Sequence, residues 1–238
     1  MALNHGPLIP GIQLNRQYYL DPVLRKSYTG GTTARNLVEN STYNSTDATA
    51  NLFNGTSHST LGGGSFFFDG SNDQLRYDLG SNTSTPLLLP TVCTVYVWVY
   101  PLSSTGAIFS HWSGGPVNLG YYIEAGKISV AQYWSEWRYY SSTGASVPTN
   151  AWSQIAWVRS SSTSMSLYLN DTLNGTLTPD TGTGQFFGGG NNGVIGSLWG
   201  WKYFSGNIGV FMIYNEAHTL AQVQQTYNTF SNRARLGI

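Results

Sequence analysis

Charge is what this sequence has least of. Only 9% of its 238 residues are Asp, Glu, Lys or Arg, where an ordinary soluble domain carries about a quarter. The 11 basic and 11 acidic side chains cancel, which removes the electrostatic attraction that supplies most nucleic-acid affinity, so DNA and RNA are not expected partners. Cysteine is nearly absent too. Cys93 stands alone, which excludes an intrachain disulfide, and its place in an apolar run predicts a buried thiol. No apolar run approaches the roughly 20 residues of a membrane-spanning helix, so no membrane partner is expected. The opening Met1 to Pro7 has neither a basic n-region nor an apolar h-region. The chain is accordingly expected to be made and folded in a cytosol, and its Asn-x-Ser/Thr sequons, frequent by chance in such a composition, are given no weight.

Acid–base machinery is also scarce. There are four glutamates, and only Glu124 and Glu136 lie near aromatics; no jelly-roll glucanase motif of the form Glu-x-Asp-x-Glu occurs. Glycoside hydrolysis needs two carboxylates about 5 to 10 Å apart across one bond, so the expectation is a protein that is not an enzyme. His5, His58, His111 and His218 lack metal-ligand spacing, and no Gly-x-Ser-x-Gly sequence suggests a nucleophile. The glycine-rich stretch 182–193 lacks the Lys-Ser/Thr ending of a phosphate loop and reads as a connection.

What the chain does have is Gly, Ser, Thr, Asn and rings, with aromatics at 14%. Its surface must therefore be built of hydroxyls, amides and aromatic edges, the composition of an all-β, lectin-like domain. So neutral a surface also lacks the repulsion that keeps monomers apart, which favours a homo-oligomer or assembled state. Strand signals dominate. Thr91 to Pro101 is the strongest, with Cys93, Val95, Val97 and Val99 on one face and Thr94, Tyr96, Trp98 and Tyr100 on the other. The first set is expected to face the core, with Tyr96 and Trp98 on a more polar side. Ala107–His111, Leu119–Glu124 and Lys127–Trp134 read as a meander, and Trp152–Arg159 with Ser164–Asn170 as a pair. Phe66 to Phe68 and Leu75 to Tyr77, about Asp69-Gly70, read as a hairpin. Thr219 and Gln222 have capping-box spacing, and Leu220, Val223, Tyr227 and Phe230 recur at helical intervals, which predicts one short C-terminal helix. The organisation expected is an extended arm over residues 1–15 and a single domain over 16–238.

Several segments in register resemble the laminin-G-like domains of the concanavalin A-like lectin/glucanase superfamily, of the kind found in bacteriophage virion proteins. Leu20-Asp21, Ser27-Tyr28 and Thr32-Thr33 are similar to the family opening, and Phe68 to Leu75 to its Phe-Asp-Gly-x-Asn-Asp hairpin. Val95 to Pro101, Trp152 to Arg159, Leu167 to Asn170 and Ile213-Tyr214-Asn215 are similar to its later strands. The closing Arg233 to Ile238 resembles the terminus of phage members. The resemblance implies an all-β, two-sheet antiparallel jelly-roll sandwich with one short C-terminal helix. It implies a virion structural or surface protein, either capsid decoration or fibre-like, assembled in a host cytoplasm with other virion proteins or itself as partner. A free-standing carbohydrate-binding module is the alternative and a jelly-roll glycanase or lyase the third, disfavoured by the missing carboxylates. The chain departs from the family in its last strand, where Gly209, Val210 and Met212 replace an Asp, a Glu and an Arg.

Candidate sites follow from these readings. Trp112, Tyr122, Trp134, Trp137, Trp199, Trp201 and Tyr203 are the glycan-binding candidates, with Tyr139 in the same set of rings, since flat rings beside amides suit pyranose faces; core packing or a protein interface is the alternative use of such rings, and cell-surface glycans are the ligand class. Val210 and Met212 are expected on an outward face covered by another chain or by the arm. Asp69, Asn72 and Asp73 could ligate calcium, a hard cation that takes six to eight oxygens, but turn capping accounts for them better. No other cofactor is expected.

Overall fold

The computed structural model describes residues 16–38, 49–78, 91–112, 118–133, 136–179, 192–198 and 202–236. Over these residues the strands in chain order are β1 (Arg16–Leu20), β2 (Thr33–Arg35), β3 (Thr49–Phe53), β4 (Ser57–Ser59), β5 (Ser65–Asp69) and β6 (Gln74–Asp78). They continue with β7 (Cys93–Pro101), β8 (Gly106–Trp112), β9 (Asn118–Glu124), β10 (Lys127–Tyr133), β11 (Trp137–Ser141) and β12 (Ser153–Ser161). The last are β13 (Ser164–Leu169), β14 (Thr172–Leu177), β15 (Asn192–Ile195), β16 (Ser197–Leu198), β17 (Lys202–Tyr203) and β18 (Ser205–Tyr214), before the helix α1 (Leu220–Leu236). All pairings are antiparallel. The first sheet runs β14-β13-β12-β7-β18-β5-β4, with β1 joined to the far half of β18; the second runs β11-β10-β9-β8-β15-β6-β3-β2. This is the two-sheet jelly-roll sandwich with one C-terminal helix that the sequence implies.

Period-two alternation on β7 decides the core. Val95, Val97 and Val99 face inward with Ile155, Trp157, Phe211 and Ile213, opposite Phe109, Tyr121, Ile123, Ile128 and Val130 of the second sheet. Aromatic contacts bridge the layers: Phe109 meets Phe211 with centroids 5.1 Å apart, and Tyr121 meets Trp157 at 4.9 Å.

Two expectations are corrected here. Phe66 to Tyr77 is not a hairpin, because β5 pairs β4 and β18 in the first sheet while β6 pairs β3 and β15 in the second. The turn at 69–73 instead carries the chain from one layer to the other, which lets Phe66 and Phe68 face Leu75 across the core. Gly70 makes the reversal, with φ of 85°, and a Cβ there would stand 2.9 Å from that of Ser205.

The outer face of the first sheet is not polar. Tyr96 and Trp98 are buried in a second apolar cluster with Tyr19, Tyr168, Val210, Met212 and Tyr214, covered by Val223 and Phe230 of α1. Leu24, Leu37 and Val38 close its margin. The charges missing from the last strand therefore have an intrachain cause. Val210 and Met212 do point away from the inter-sheet core, but the helix packs on them, at 5% and 0% exposure. Neither a second chain nor residues 1–15, which lie outside the described residues, is needed to cover them. The helix is set by the predicted capping box: Gln222 Oε1 accepts from the Thr219 N–H at 2.8 Å, and the Gln222 N–H donates to Thr219 Oγ1 at 3.3 Å.

Candidate ligand-binding face

The meander β8 to β11 ends in an edge strand, and its register builds the candidate site. Ser129 of β10 lies between Tyr122 and Ser141, Ala131 between Gly120 and Tyr139, and Tyr133 between Asn118 and Trp137. Since Tyr121, Ile123, Ile128 and Val130 face the core, Tyr122, Ser129, Ala131, Trp137 and Tyr139 lie on the outward face. The tight turn that starts β10 uses Ala125 at φ 48° and Gly126 at φ 80°.

Onto this outward face folds the ribbon β16–β17, held by Ser110 Oγ donating to the Ser197 carbonyl at 2.8 Å. Leu198 of the ribbon packs on Ala107, Tyr122 and Ala131, all buried. Lys202, paired with Leu198 across the ribbon, places its Nζ 4.8 Å from the Tyr122 ring centroid and against Glu124 Oε2. Burial first, then the Glu124 and Tyr139 groups nearby, pushes the Tyr122 hydroxyl up to about 12, with a hydrogen bond from Ser129 opposing. Tyr122 is thus a neutral phenol fixed in the floor.

Beyond the ribbon, Trp137 and Tyr139 stand on β11 at 37% and 53% exposure. Their rings are stacked, with centroids 6.2 Å apart and planes 18° apart. A flat apolar surface of this kind, beside amides and hydroxyls, is what a sugar ring packs on. Trp and Tyr grouped on an exposed strand are characteristic of ligand and partner surfaces.

The structure distributes the sequence-selected aromatics unevenly. Trp137 lies on the exposed face, Tyr203 is half-buried in the ribbon, and Tyr122 is 3% exposed, which corrects its reading as a stacking platform: Leu198 and Lys202 cover it. Trp134, Trp199 and Trp201 lie outside the described residues, and Trp112 is placed only by its backbone in β8. Tyr139 completes the exposed pair, and its signal was the alternation Trp137-Arg138-Tyr139. The roles of Leu198 and Lys202 had no local signal, because a two-residue strand shows no period.

The carboxylates are engaged structurally. Glu124 pairs with Lys202, and Glu136 with Arg138 at 2.9 Å. Asp69 Oδ1 accepts from the N–H groups of Ser71 (2.7 Å) and Asn72 (3.4 Å), and Asp73 Oδ2 accepts from that of Asp69 (2.9 Å). These are turn caps. Burial raises the Asp73 carboxyl above its ordinary value, the Asp69 N–H lowers it, and the Asp69 charge raises it. Asn72 stands in the same turn, its carbonyl accepting from Asn54 Nδ2 at 3.1 Å. Among the described residues no three His, Cys, Asp or Glu side chains come together as metal ligands, and no helix is long and apolar enough to cross a membrane.

A two-sheet sandwich with an aromatic, ribbon-covered outer face has the architecture of a lectin. Residues 69–224 match the family Laminin_G_3, concanavalin A-like lectin/glucanases superfamily, and the chain belongs to that family. No curated protein matches the sequence. Among solved structures, the receptor-binding domain of botulinum neurotoxin D is similar with a TM-score of 0.67 at 13% identity, covering 92% of this chain and 53% of that one. The ligand-binding domain of the same serotype in complex with N-acetylneuraminic acid gives 0.63 at 15%, covering 92% and 52%. Domain 4 of AbnA, an extracellular arabinanase from Geobacillus stearothermophilus, in complex with arabinotriose, gives 0.59 at 18%, covering 88% and 97%. The chain spans about half the length of the toxin chains it matches, and at these identities the likeness is one of fold.

Proposed function

We propose that this protein is a non-enzymatic carbohydrate-binding module whose ligand seats on the outer face of the second sheet, over Trp137 and Tyr139. The single observation that carries this is the exposed, stacked Trp137–Tyr139 pair on β11, beside a floor held rigid by Tyr122, Leu198 and Lys202. Similar domains solved with N-acetylneuraminic acid and with arabinotriose support the reading. The absence of catalysis is supported by the ion-paired states of Glu124 and Glu136. A glycan array is the test. The native protein is expected to retain a defined glycan class, and Trp137→Ala to weaken retention by about 5- to 150-fold, matching about 1 to 3 kcal/mol for an aromatic contact. A blank array, or equal retention by Trp137→Ala, overturns the site. Release of reducing ends from a polysaccharide overturns the non-enzymatic reading.

The setting proposed for this module is the surface of a virion, as capsid decoration or a fibre-like component assembled with other virion proteins or with itself. Its support is the sequence resemblance to phage members and the uncharged composition. Mass spectrometry of a purified particle tests it, and a particle without the chain leaves the free-standing carbohydrate-binding module.

A further inference from the structure

His218 lies in the link between β18 and α1 and is 3% exposed. Its Nε2 is 3.0 Å from Glu216 Oε1 and its Nδ1 is 2.8 Å from the Tyr96 hydroxyl. Its backbone N–H donates to Thr94 Oγ1 at 2.9 Å, and that hydroxyl donates to the Glu216 carbonyl at 2.7 Å. The ring packs against Tyr214 with centroids 4.4 Å apart. Tyr96 and Tyr214 also pack with Val223 and Phe230 of α1 in one apolar cluster, and Thr226 of α1 is near enough to act on the Tyr96 phenol, so β7, β18, the link and the helix meet here. The tautomer follows from the partners: a carboxylate only accepts, so Nε2 carries the hydrogen and Nδ1 accepts from Tyr96.

We propose that this cluster is a pH-sensitive latch: neutral His218 ties the start of α1 to β7 and β18, and proton uptake by His218 releases α1 from the outer face of the first sheet.

Protonation places an N–H at Nδ1, facing a hydroxyl that had been donating to it. Tyr96 must then turn its hydrogen away from His218 and give up the bond it donated to Nδ1. A full positive charge is left with almost no access to water. The charged and titratable groups around it do not compensate. Glu216 attracts it, but its side chain is 30% exposed and therefore screened. Arg16 of β1, its guanidinium 4.2 Å from the Tyr19 ring centroid and close enough to act on Tyr214, adds a second positive charge on that side. Tyr96, which also has Tyr168 of β13 nearby, and Tyr214 of β18 are raised by burial, Tyr214 to about 12, so both are neutral phenols throughout the relevant range. The helix turns Val223, Thr226 and Phe230 to this face, none of them charged.

Burial lowers the His218 pKa from 6.5, with Glu216 partly opposing. The latched form therefore binds a proton less readily than the released form. Latching is fully present above about pH 6.5 and is lost as pH falls toward the lower value of the latched form, by up to about tenfold in the latched-to-released ratio per pH unit. What release uncovers is the apolar face of Tyr19, Tyr96, Trp98, Val210 and Met212.

Amide hydrogen exchange over Val223 to Phe230, corrected for intrinsic rates, tests this at about pH 7.5 and about pH 5. Protection in the native protein is expected to fall by up to about tenfold per pH unit below 6.5. His218→Gln, which keeps a donor for Glu216 but does not titrate, is expected to show equal protection at both values. Unchanged protection in the native protein, or the same loss in His218→Gln, overturns the latch. The His218 ring titrated by NMR in the native protein decides the matter even if the variant does not fold: a midpoint below 6.5 supports the latch, and one at or above 6.5 overturns it.

Discussion

Trp98 of β7 and Tyr227 of α1 are stacked face to face, with ring centroids 5.7 Å apart and planes 10° apart. The contact ties the helix to the centre of the first sheet, on the side away from the inter-sheet core. Tyr227→Ala is expected to lower stability by about 2 to 3 kcal/mol, since a large ring packed in an apolar layer is removed and the site only partly collapses. Leu220→Ala, on a side chain 46% exposed, is expected to change stability by less than about 0.5 kcal/mol. Urea unfolding midpoints compare the two, and equal effects would show that the helix does not pack on Trp98.

Val210 and Met212 lie under the same helix. Val210→Glu with Met212→Arg puts two charges where both side chains are at most 5% exposed, and the loss is expected to exceed about 4 kcal/mol, enough to abolish cooperative unfolding. A double variant that melts like the native protein would return these residues to the surface. Circular dichroism on heating is sufficient to decide.

Cys93 is 1% exposed, and burial pushes its thiol up to about 12, with Arg159 opposing. At mildly alkaline pH the reactive thiolate is therefore scarce as well as inaccessible. Labelling by a thiol-disulfide reagent is expected only after denaturation. Fast labelling of the native protein would place Cys93 on the wrong face of β7.

Asp73 carries a carboxyl raised mainly by burial, and its Oδ1 has no hydrogen-bond partner. A carboxyl whose folded pKa lies above its unfolded value costs stability at neutral pH, and that cost shrinks as pH falls through the folded pKa. Asp73→Asn is expected to gain on the native protein in melting temperature at pH 7 and to lose that gain near pH 4. The caps seen at Asp69 and Asp73 lead us to expect that added calcium leaves the native melting temperature unchanged. A calcium-dependent rise would instead make the turn a metal site.

Local pattern was enough for much of this protein. The alternation of Cys93 to Val99 told which side of β7 enters the core, because side chains of a strand point to opposite faces at every second residue. The capping spacing of Thr219 and Gln222 located the start of the helix, since both bonds close within one turn. The scarcity of charge and the abundance of hydroxyls, amides and rings marked a lectin-like surface. What the pattern could not reveal is what lies against each face. Phe66 to Tyr77 looks like a hairpin locally, yet β5 and β6 belong to different sheets, because strand partners are chosen by packing between distant segments. Tyr96, Trp98, Val210 and Met212 likewise have a face but no cover until α1 folds back onto β7 and β18. Tyr122 has the alternation of an exposed ring and is buried by Leu198 and Lys202, about 80 residues away in sequence. Periodicity determines the faces of an element; only tertiary packing decides which face meets solvent, another layer or a ligand.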